Sequence, residues 1–236
     1  MKYVENLEPI QKAEALETGS NYHSLLEELN KTGTLDGEMT KELAMAKAYE
    51  KYIYPHFKVV EAEKYVEYDL GDGDTLIGFV DGVTDNGYIV EHKTTGMDIT
   101  EQYEYNLLWD EQILAYMLMT GMRKVYYTVC RKPTIRQKQK ETDEEFFNRM
   151  VAWYDEDTDS KIRFLEIERT DEEVEQFRQE LEVIKATIQE AVQDKNFYKN
   201  TCHCNMYGRR CEYSSVCLNY DPNQQYIDFY RKEEQA

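Results

Sequence analysis

Gly78-Phe79-Val80-Asp81-Gly82-Val83-Thr84-Asp85-Asn86-Gly87-Tyr88-Ile89-Val90-Glu91-His92-Lys93-Thr94-Thr95 is the stretch on which the fold turns. Residues Thr75 to Val83 and Tyr88 to Thr95 are rich in β-branched and aromatic side chains and read as strands. Asp85-Asn86-Gly87 between them is turn chemistry. Glu91 and Lys93 interrupt a strand that should otherwise be buried, and because they alternate with His92 they share one face. Register decides where Asp81 points. A two-residue Asn-Gly turn places Asp81 opposite His92, on the other face. A three-residue loop with Gly87 in the left-handed region pairs Thr84 with Tyr88 and sets Asp81 across from Glu91. The second register is expected, because it gathers two carboxylates and an ammonium on one side.

That cluster has a chemical use. Two carboxylates held close together repel each other unless a cation sits between them. Mg²⁺ and Mn²⁺ choose oxygen ligands, polarise phosphodiesters and acidify bound water. A neighbouring Lys orients that water or stabilises charge developing in the transition state. The plain alternative is a surface ion pair between Glu91 and Lys93, since Glu-x-Lys alone is a common pattern. Asp81 in a glycine-flanked strand just upstream favours the functional reading.

Working outward, Asn21 to Leu29 and Met39 to Tyr54 read as helices, the second stopped by Pro55. Phe57 to Tyr68 reads as a strand, and Asp69 to Asp74 as a Gly/Asp turn. Gln102 to Leu118 carries apolar residues at helical spacing and is expected to form one long helix. Val125 to Cys130 and Arg163 to Ile167 are further strands. Glu144 to Trp153 and Asp171 to Gln193 are further helices, the last capped by Thr170 or Asp171. The order implies an α/β fold with a central mixed sheet flanked by helices and a cysteine-rich segment at the C-terminal end.

The 236 residues suffice for one substantial core. The expected division is a domain over 1–200 and a cysteine-rich segment with tail over 201–236, packed on the same domain. With 28 basic and 47 acidic residues the formal charge is −19, which argues against loose electrostatic binding to nucleic acid as the whole function. Met1 to Gly19 is polar and acidic with no apolar signal region, and Ile113 to Met119 is too short to span a bilayer. A soluble cytoplasmic protein that does not engage membranes is therefore expected.

The motifs together resemble the RecB-like branch of the PD-(D/E)XK nucleases, whose core is restriction-endonuclease-like. Gly19-Ser20-Asn21-Tyr22-His23 is similar to that branch's Gly-x-x-x-His motif, and Gly78-Phe79-Val80-Asp81 to its G-x-x-D strand. Glu91-His92-Lys93-Thr94 is similar to its D/E-x-K-T, and Gln112-Ile113-Leu114-Ala115-Tyr116 to its Gln-x-x-x-Tyr helix. Each motif is weak alone; the ordered set is specific. The resemblance implies that Asp81 and Glu91 bind metal with His23 and the backbone carbonyl of His92. It implies that Lys93 serves the attacking water, and that Glu63, on the preceding strand, is a supporting group outside the ligand set. Gln112 and Tyr116 share a helix face and would contact Lys93 or the DNA backbone. Without the other motifs His23 reads as an ordinary histidine; Tyr116 reads equally as core in a Tyr-rich chain or as a site residue, whereas a Gln112 amide in an apolar helix needs partners.

Further similarity to phage-encoded members lies in Arg131-Lys132-Pro133, Lys140-Glu141-Thr142 and Phe197-Tyr198-Lys199-Asn200 ahead of Cys204, Cys211 and Cys217. It implies a phage or prophage exonuclease acting in recombination or replication, working in the host-cell cytoplasm. A rival reading is a metal-cluster interaction protein whose cysteine segment docks a recombinase or helicase partner, which the strong acidity suits. Several relatives hold a four-iron four-sulfur cluster with three C-terminal cysteines and one N-terminal one. No cysteine precedes Cys130 here, so Cys202 would have to join Cys204, Cys211 and Cys217. Zinc on four thiolates is the alternative, and no metal a third reading. Cys130, in an apolar strand, reads as a packed thiol. Arg131, Lys132, Arg136, Lys138 and Lys140 form a basic stretch that could grip DNA phosphates, or else a solvated loop paired with Glu141 and Asp143 to Glu145.

The expected function is Mg²⁺- or Mn²⁺-dependent hydrolysis of DNA. The alternative is a catalytically silent DNA- or protein-binding module of the same fold, whose sign would be the loss of Asp81, Glu91 or Lys93.

Overall fold

The central turn takes the three-residue form. In the computed structural model the Thr84 N–H donates to the Tyr88 carbonyl (2.9 Å) and the Gly87 N–H to the Thr84 carbonyl (3.1 Å). Gly87 has φ +79°, the left-handed conformation that glycine adopts without penalty. Val83 then pairs with Ile89 and Gly82 with Val90. The next step of that ladder would face Asp81 with Glu91. The strands part there instead, and the His92 N–H donates to the Asp81 carboxylate (2.6 Å).

The structure describes residues 7–10, 14–197, 201–205, 210–218 and 229–231. Of the expected motifs, 198–200 and 206–209 lie outside the described residues. In chain order the elements are β1 (Leu7–Pro9), α1 (Glu14–Thr32), α2 (Lys41–Tyr52), β2 (Val59–Gly71), β3 (Asp74–Thr84) and β4 (Ile89–Thr95). There follow α3 (Glu101–Asn106), α4 (Glu111–Thr120), β5 (Lys124–Arg131), α5 (Asp143–Glu156), α6 (Thr158–Lys161), β6 (Ile162–Glu168) and α7 (Asp171–Asp194), then α8 (Ser214–Leu218) and β7 (Phe229–Arg231). The chain falls into two compact units, Thr18–Ala186 and the combination of Met1–Glu17 with Thr187–Ala236. In the smaller unit β1 pairs antiparallel with β7, and the Tyr213 hydroxyl donates to the Leu7 carbonyl (3.0 Å).

The larger unit is built on a five-stranded sheet ordered β2-β3-β4-β5-β6. β4 and β5 run parallel; the other neighbours are antiparallel. The sheet is therefore mixed, as the element order implies. Helices cover both faces. Tyr22, Leu26 and Leu29 of α1, Met45 and Tyr49 of α2 and Tyr154 of α5 pack with Cys130 and Ile162 into one apolar cluster. Ile113, Tyr116 and Met117 of α4 and Val174 of α7 pack with Val80, Ile89, Val125 and Val129 into another. The parallel connection between β4 and β5 carries α3 and α4, as a crossover must.

Local chemistry sets the helix ends. Thr40 caps α2 by accepting the Leu43 N–H (3.2 Å). Thr142 and Glu145 form a reciprocal capping box on α5, and Thr170 and Glu173 exchange the same pair of bonds at α7. The expected single helix over Gln102 to Leu118 is broken instead. α3 ends at Asn106, a short 3-10 turn spans Leu107–Trp109, and α4 begins at Glu111. The cause is Asp110: its backbone is extended and its carboxylate accepts the Gln112 N–H (3.0 Å), so it starts a new helix rather than continuing the old one.

Candidate active site

β4 carries polar side chains into the interior. Glu91 and His92 are each only 2% exposed, in a strand that opens on the buried Ile89 and Val90. Burying such groups is unfavourable unless they are partnered, so their surroundings define the site. His92 Nδ1 lies 2.7 Å from Thr128 Oγ1, and its ring meets Tyr49 edge-on at 5.2 Å and His23 at 6.0 Å. Burial pushes the His92 ring down to a pKa of about 4, so it is neutral near pH 7.

α1 brings His23 to the site, with Gly19 one turn earlier on the same helix face. A Cβ on Gly19 would touch Thr94 Oγ1 at 3.7 Å, so a small residue lets α1 lie close to β4. His23 Nδ1 pairs with Asp81 Oδ1 at 3.2 Å. Between the ladder pairs Ala62–Gly82 and Lys64–Val80, Glu63 of β2 sits opposite Asp81. Glu63 has φ +48°, a left-handed conformation uncommon for a non-glycine residue inside a strand. Ligand atoms of His23, Glu63 and Asp81 all lie within 4.8 Å of one another.

Lys93 follows Glu91 at the next alternate position of β4. Its Nζ donates to Glu91 Oε1 and to Gln112 Oε1. Gln112 Nε2 donates to the Tyr116 hydroxyl (2.7 Å), which donates to the Phe79 carbonyl (2.7 Å). This chain ties β4, α4 and β3 together through the catalytic candidates. It also accounts for Gly78: a Cβ there would stand 2.9 Å from Met119 Cε and 3.1 Å from Tyr116 Cε1. A side chain there would have to displace the Met119 tip and shift the Tyr116 ring by a few tenths of an ångström, so glycine eases the approach of α4 to β3.

The electrostatics are those of a site short of positive charge. Burial and the Asp81 charge push Glu91 up to a pKa of about 7, despite Lys93. Burial and Asp81 likewise raise Glu63. Burial also acts against ionised Asp81, but the His23 hydrogen bond, the two imidazoles and the His92 N–H outweigh it and hold its pKa below the ordinary value. His23 shows the reciprocal effect: burial opposes its charge, and Asp81, Glu91 and Glu63 more than offset that. Glu91 Oε2 is buried without a hydrogen-bond partner. An orphaned carboxylate oxygen beside converging oxygen and imidazole donors suits a hard divalent cation. The residues present therefore fit Mg²⁺ or Mn²⁺.

The structure thus brings His23, Asp81, Glu91, Lys93, Gln112 and Tyr116 into one neighbourhood and adds Glu63 to the convergent donors. The His92 backbone contributes its N–H to Asp81. The basic stretch is partly committed elsewhere. Arg131 pairs with Asp98 and lies over the Trp153 ring at 5.3 Å, while Lys132 is half-buried and Arg136, Lys138 and Lys140 are exposed. Glu141 is held by Arg149 rather than by these cations, and that pairing pulls its carboxyl down to about 2. Cys130 is a packed thiol, 3.5 Å from the Tyr154 hydroxyl and pushed up to about 12 by burial.

In the cysteine segment the Cys211 N–H donates to the Cys204 carbonyl (3.0 Å). Cys202 and Cys204 are exposed, and Cys211 and Cys217 half-buried. Among the described residues no three of these thiols come within 4.8 Å of one another. A tetrahedral zinc site, with Zn–S bonds of about 2.3 Å, requires that closeness.

No curated protein matches the chain. Among solved structures, an alkaline exonuclease from Laribacter hongkongensis is similar at 17% identity and a TM-score of 0.37, with 79% of this chain and 88% of that one covered. A phage-related exonuclease from Haemophilus somnus 129PT is similar at 15% identity and a TM-score of 0.36, with 73% and 83% covered. The family model for the PD-(D/E)XK nuclease superfamily matches residues 1–218, a span that includes every residue of the site and the whole mixed sheet. This chain belongs to the PD-(D/E)XK nuclease superfamily.

Proposed function

We propose that the protein is a Mg²⁺- or Mn²⁺-dependent deoxyribonuclease, an exonuclease serving phage or prophage recombination or replication in the host-cell cytoplasm. The observation that carries this reading is the convergence of His23, Glu63 and Asp81 within 4.8 Å, beside a Lys93 tethered to Glu91 and Gln112. Asp81, Glu91, Glu63, His23 and the His92 carbonyl would hold the metal. A bound divalent ion supplies charge neutralisation at the phosphate and a more acidic water.

The chain's own groups supply the rest. Lys93 Nζ, fixed by two acceptors, orients the attacking water through its remaining proton and stabilises the anionic phosphate as the P–O bond breaks. Gln112 and Tyr116 position Lys93 by locking its acceptor to the β3 backbone. His92, neutral and buried, supports the His23 ring edge-on. Arg136, Lys138 and Lys140 are available to meet phosphates further along the DNA. A recombinase or helicase partner rests on the strong acidity and the cysteine segment, and an iron–sulfur clip on Cys202, Cys204, Cys211 and Cys217 rests on sequence resemblance. A brown colour on anaerobic purification would reveal the cluster.

Purified protein is expected to degrade linear DNA with Mn²⁺ or Mg²⁺ and to stop on chelation. Asp81→Ala and Lys93→Ala each lower the rate by about 100-fold or more with an unchanged circular dichroism spectrum. A wild-type protein that binds DNA and cuts none, across metals and DNA ends, would make the chain a silent binding module.

A further inference from the structure

The outer half of the β2–β3 hairpin shows an exposed aromatic pair close to the metal donors. Ile77 and Phe79 precede Asp81 at alternate positions of β3, and Tyr65 follows Glu63 at the next alternate position of β2. Tyr65 and Phe79 are ladder partners, their ring centroids 5.4 Å apart and inclined at 64°. Their side is open: Phe79 is 56% exposed, Tyr65 50% and Ile77 60%. The opposite side of the same hairpin is closed, with Val66 and Val80 packed in the cluster that includes Tyr116 and Met117. Rings of this size are normally drawn into a core. Here strand alternation holds them in water, next to a site that cuts phosphodiesters.

We infer that Tyr65 and Phe79 form a stacking platform for an unpaired nucleobase of the DNA strand whose phosphate occupies the Asp81 site, an inference that rests on the proposed nuclease reading. Charge favours a base over a phosphate there. The alternate positions sharing this side hold Glu63, Glu67 and Asp69, with Thr75 and Ile77 across from them, and no Lys or Arg. Glu67 is bound to the Tyr65 hydroxyl (2.7 Å). A phosphate would be repelled by these acids, whereas the uncharged face of a base stacks on aromatic rings without regard to sequence. The strand advances about 3.3 Å per residue, which puts Phe79 about 7 Å along β3 from Asp81. A base attached to the phosphate at the site can reach it. A platform of this kind holds a frayed end open while the phosphate behind it is cut.

The test uses full-length protein, with Ca²⁺ replacing Mg²⁺, and a short single-stranded DNA bearing a fluorescent aminopurine next to its terminal phosphate. Wild type is expected to quench the aminopurine on binding. Phe79→Ala should bind about 5- to 100-fold more weakly, the range that loss of one stacked base produces, and should not quench. Phe79→Trp should retain both properties. Phe79→Leu, which keeps the apolar cover of the hairpin without a ring, should behave as Phe79→Ala. Wild-type-like binding and quenching by Phe79→Leu and Tyr65→Leu would overturn the inference. So would a loss of self-association in these variants with DNA binding intact, which would make the patch a contact between copies of the chain. Hydrolysis of bis(p-nitrophenyl) phosphate by wild-type protein with Mn²⁺ reports the metal site without any base. Its absence, together with uncut DNA, would defeat the nuclease reading itself, whereas its presence with unaltered quenching in the variants defeats only the platform.

Discussion

Glu91 concentrates the chemistry of the site in one side chain: buried, unpaired at Oε2 and held at a pKa of about 7 by burial and Asp81. Its folded-state value lies above the ordinary carboxylate value, so the fold favours the protonated acid. In metal-free protein that contribution is complete below the unfolded-state pKa and is lost as pH rises through about 7. Glu91→Gln, which mimics the neutral acid, should therefore gain stability over wild type as pH rises across that window in chelator. Thermal melts in Mn²⁺ should reverse the order at pH 8, because only the carboxylate takes up the metal. A constant difference between the two proteins across pH in chelator would mean that Glu91 is not held as a strained acid. Much of this was legible in the sequence, since an acid and a lysine alternating in a strand expected to be buried demand partners. Glu63 was less so: its left-handed backbone and its convergence with His23 depend on how α1 packs beside the β2–β3 ladder, which no local pattern encodes. The buried ring of His92 was equally hidden, being a feature of the layer beneath the site.

At the scale of elements, the site is a meeting of α1, α4 and the β3–β4 hairpin, and glycine permits the approach. Gly78→Ala should push a methyl group against Met119 and Tyr116. Overpacking of this kind costs about 1–3 kcal/mol. Here it should also shift the Tyr116 ring and loosen the Tyr116–Phe79 bond that fixes Gln112 and Lys93. Cleavage should fall about 10-fold or more at saturating DNA, a loss in kcat rather than in affinity. Stability loss with full kcat would show that the chain from Phe79 to Lys93 has no positioning role. The hairpin register was readable because Gly87 can take a positive φ and the alternation of apolar residues fixes which side is buried. The break before α4 was not, because Leu107, Leu108 and Trp109 continue an apolar pattern. Asp110 looks like any acid until its side chain is seen on the Gln112 N–H.

For the whole molecule, a net charge of −19 sets the terms on which DNA can approach. Long-range attraction is absent, so affinity should depend on the divalent cation and on the few exposed basic side chains near Lys138. Combined Arg136→Glu, Lys138→Glu and Lys140→Glu substitution is expected to weaken duplex binding. It should also flatten the dependence of log K on log salt by about 0.9 for each phosphate that the variant no longer neutralises. An unchanged salt slope would assign those residues to a solvated loop. The mixed sheet and its two helical layers followed from the order of elements, while the division into two units did not, since no Gly-, Ser- or Pro-rich linker marks it. The central claim is that imidazole and carboxylates gathered around β3 and β4 capture a hard cation. Anomalous diffraction from crystals soaked in Mn²⁺ tests it most directly. The account predicts a peak bonded to oxygens of Asp81 and Glu91 and within reach of His23. Fully diffused crystals with no peak there, or with manganese elsewhere, would contradict it.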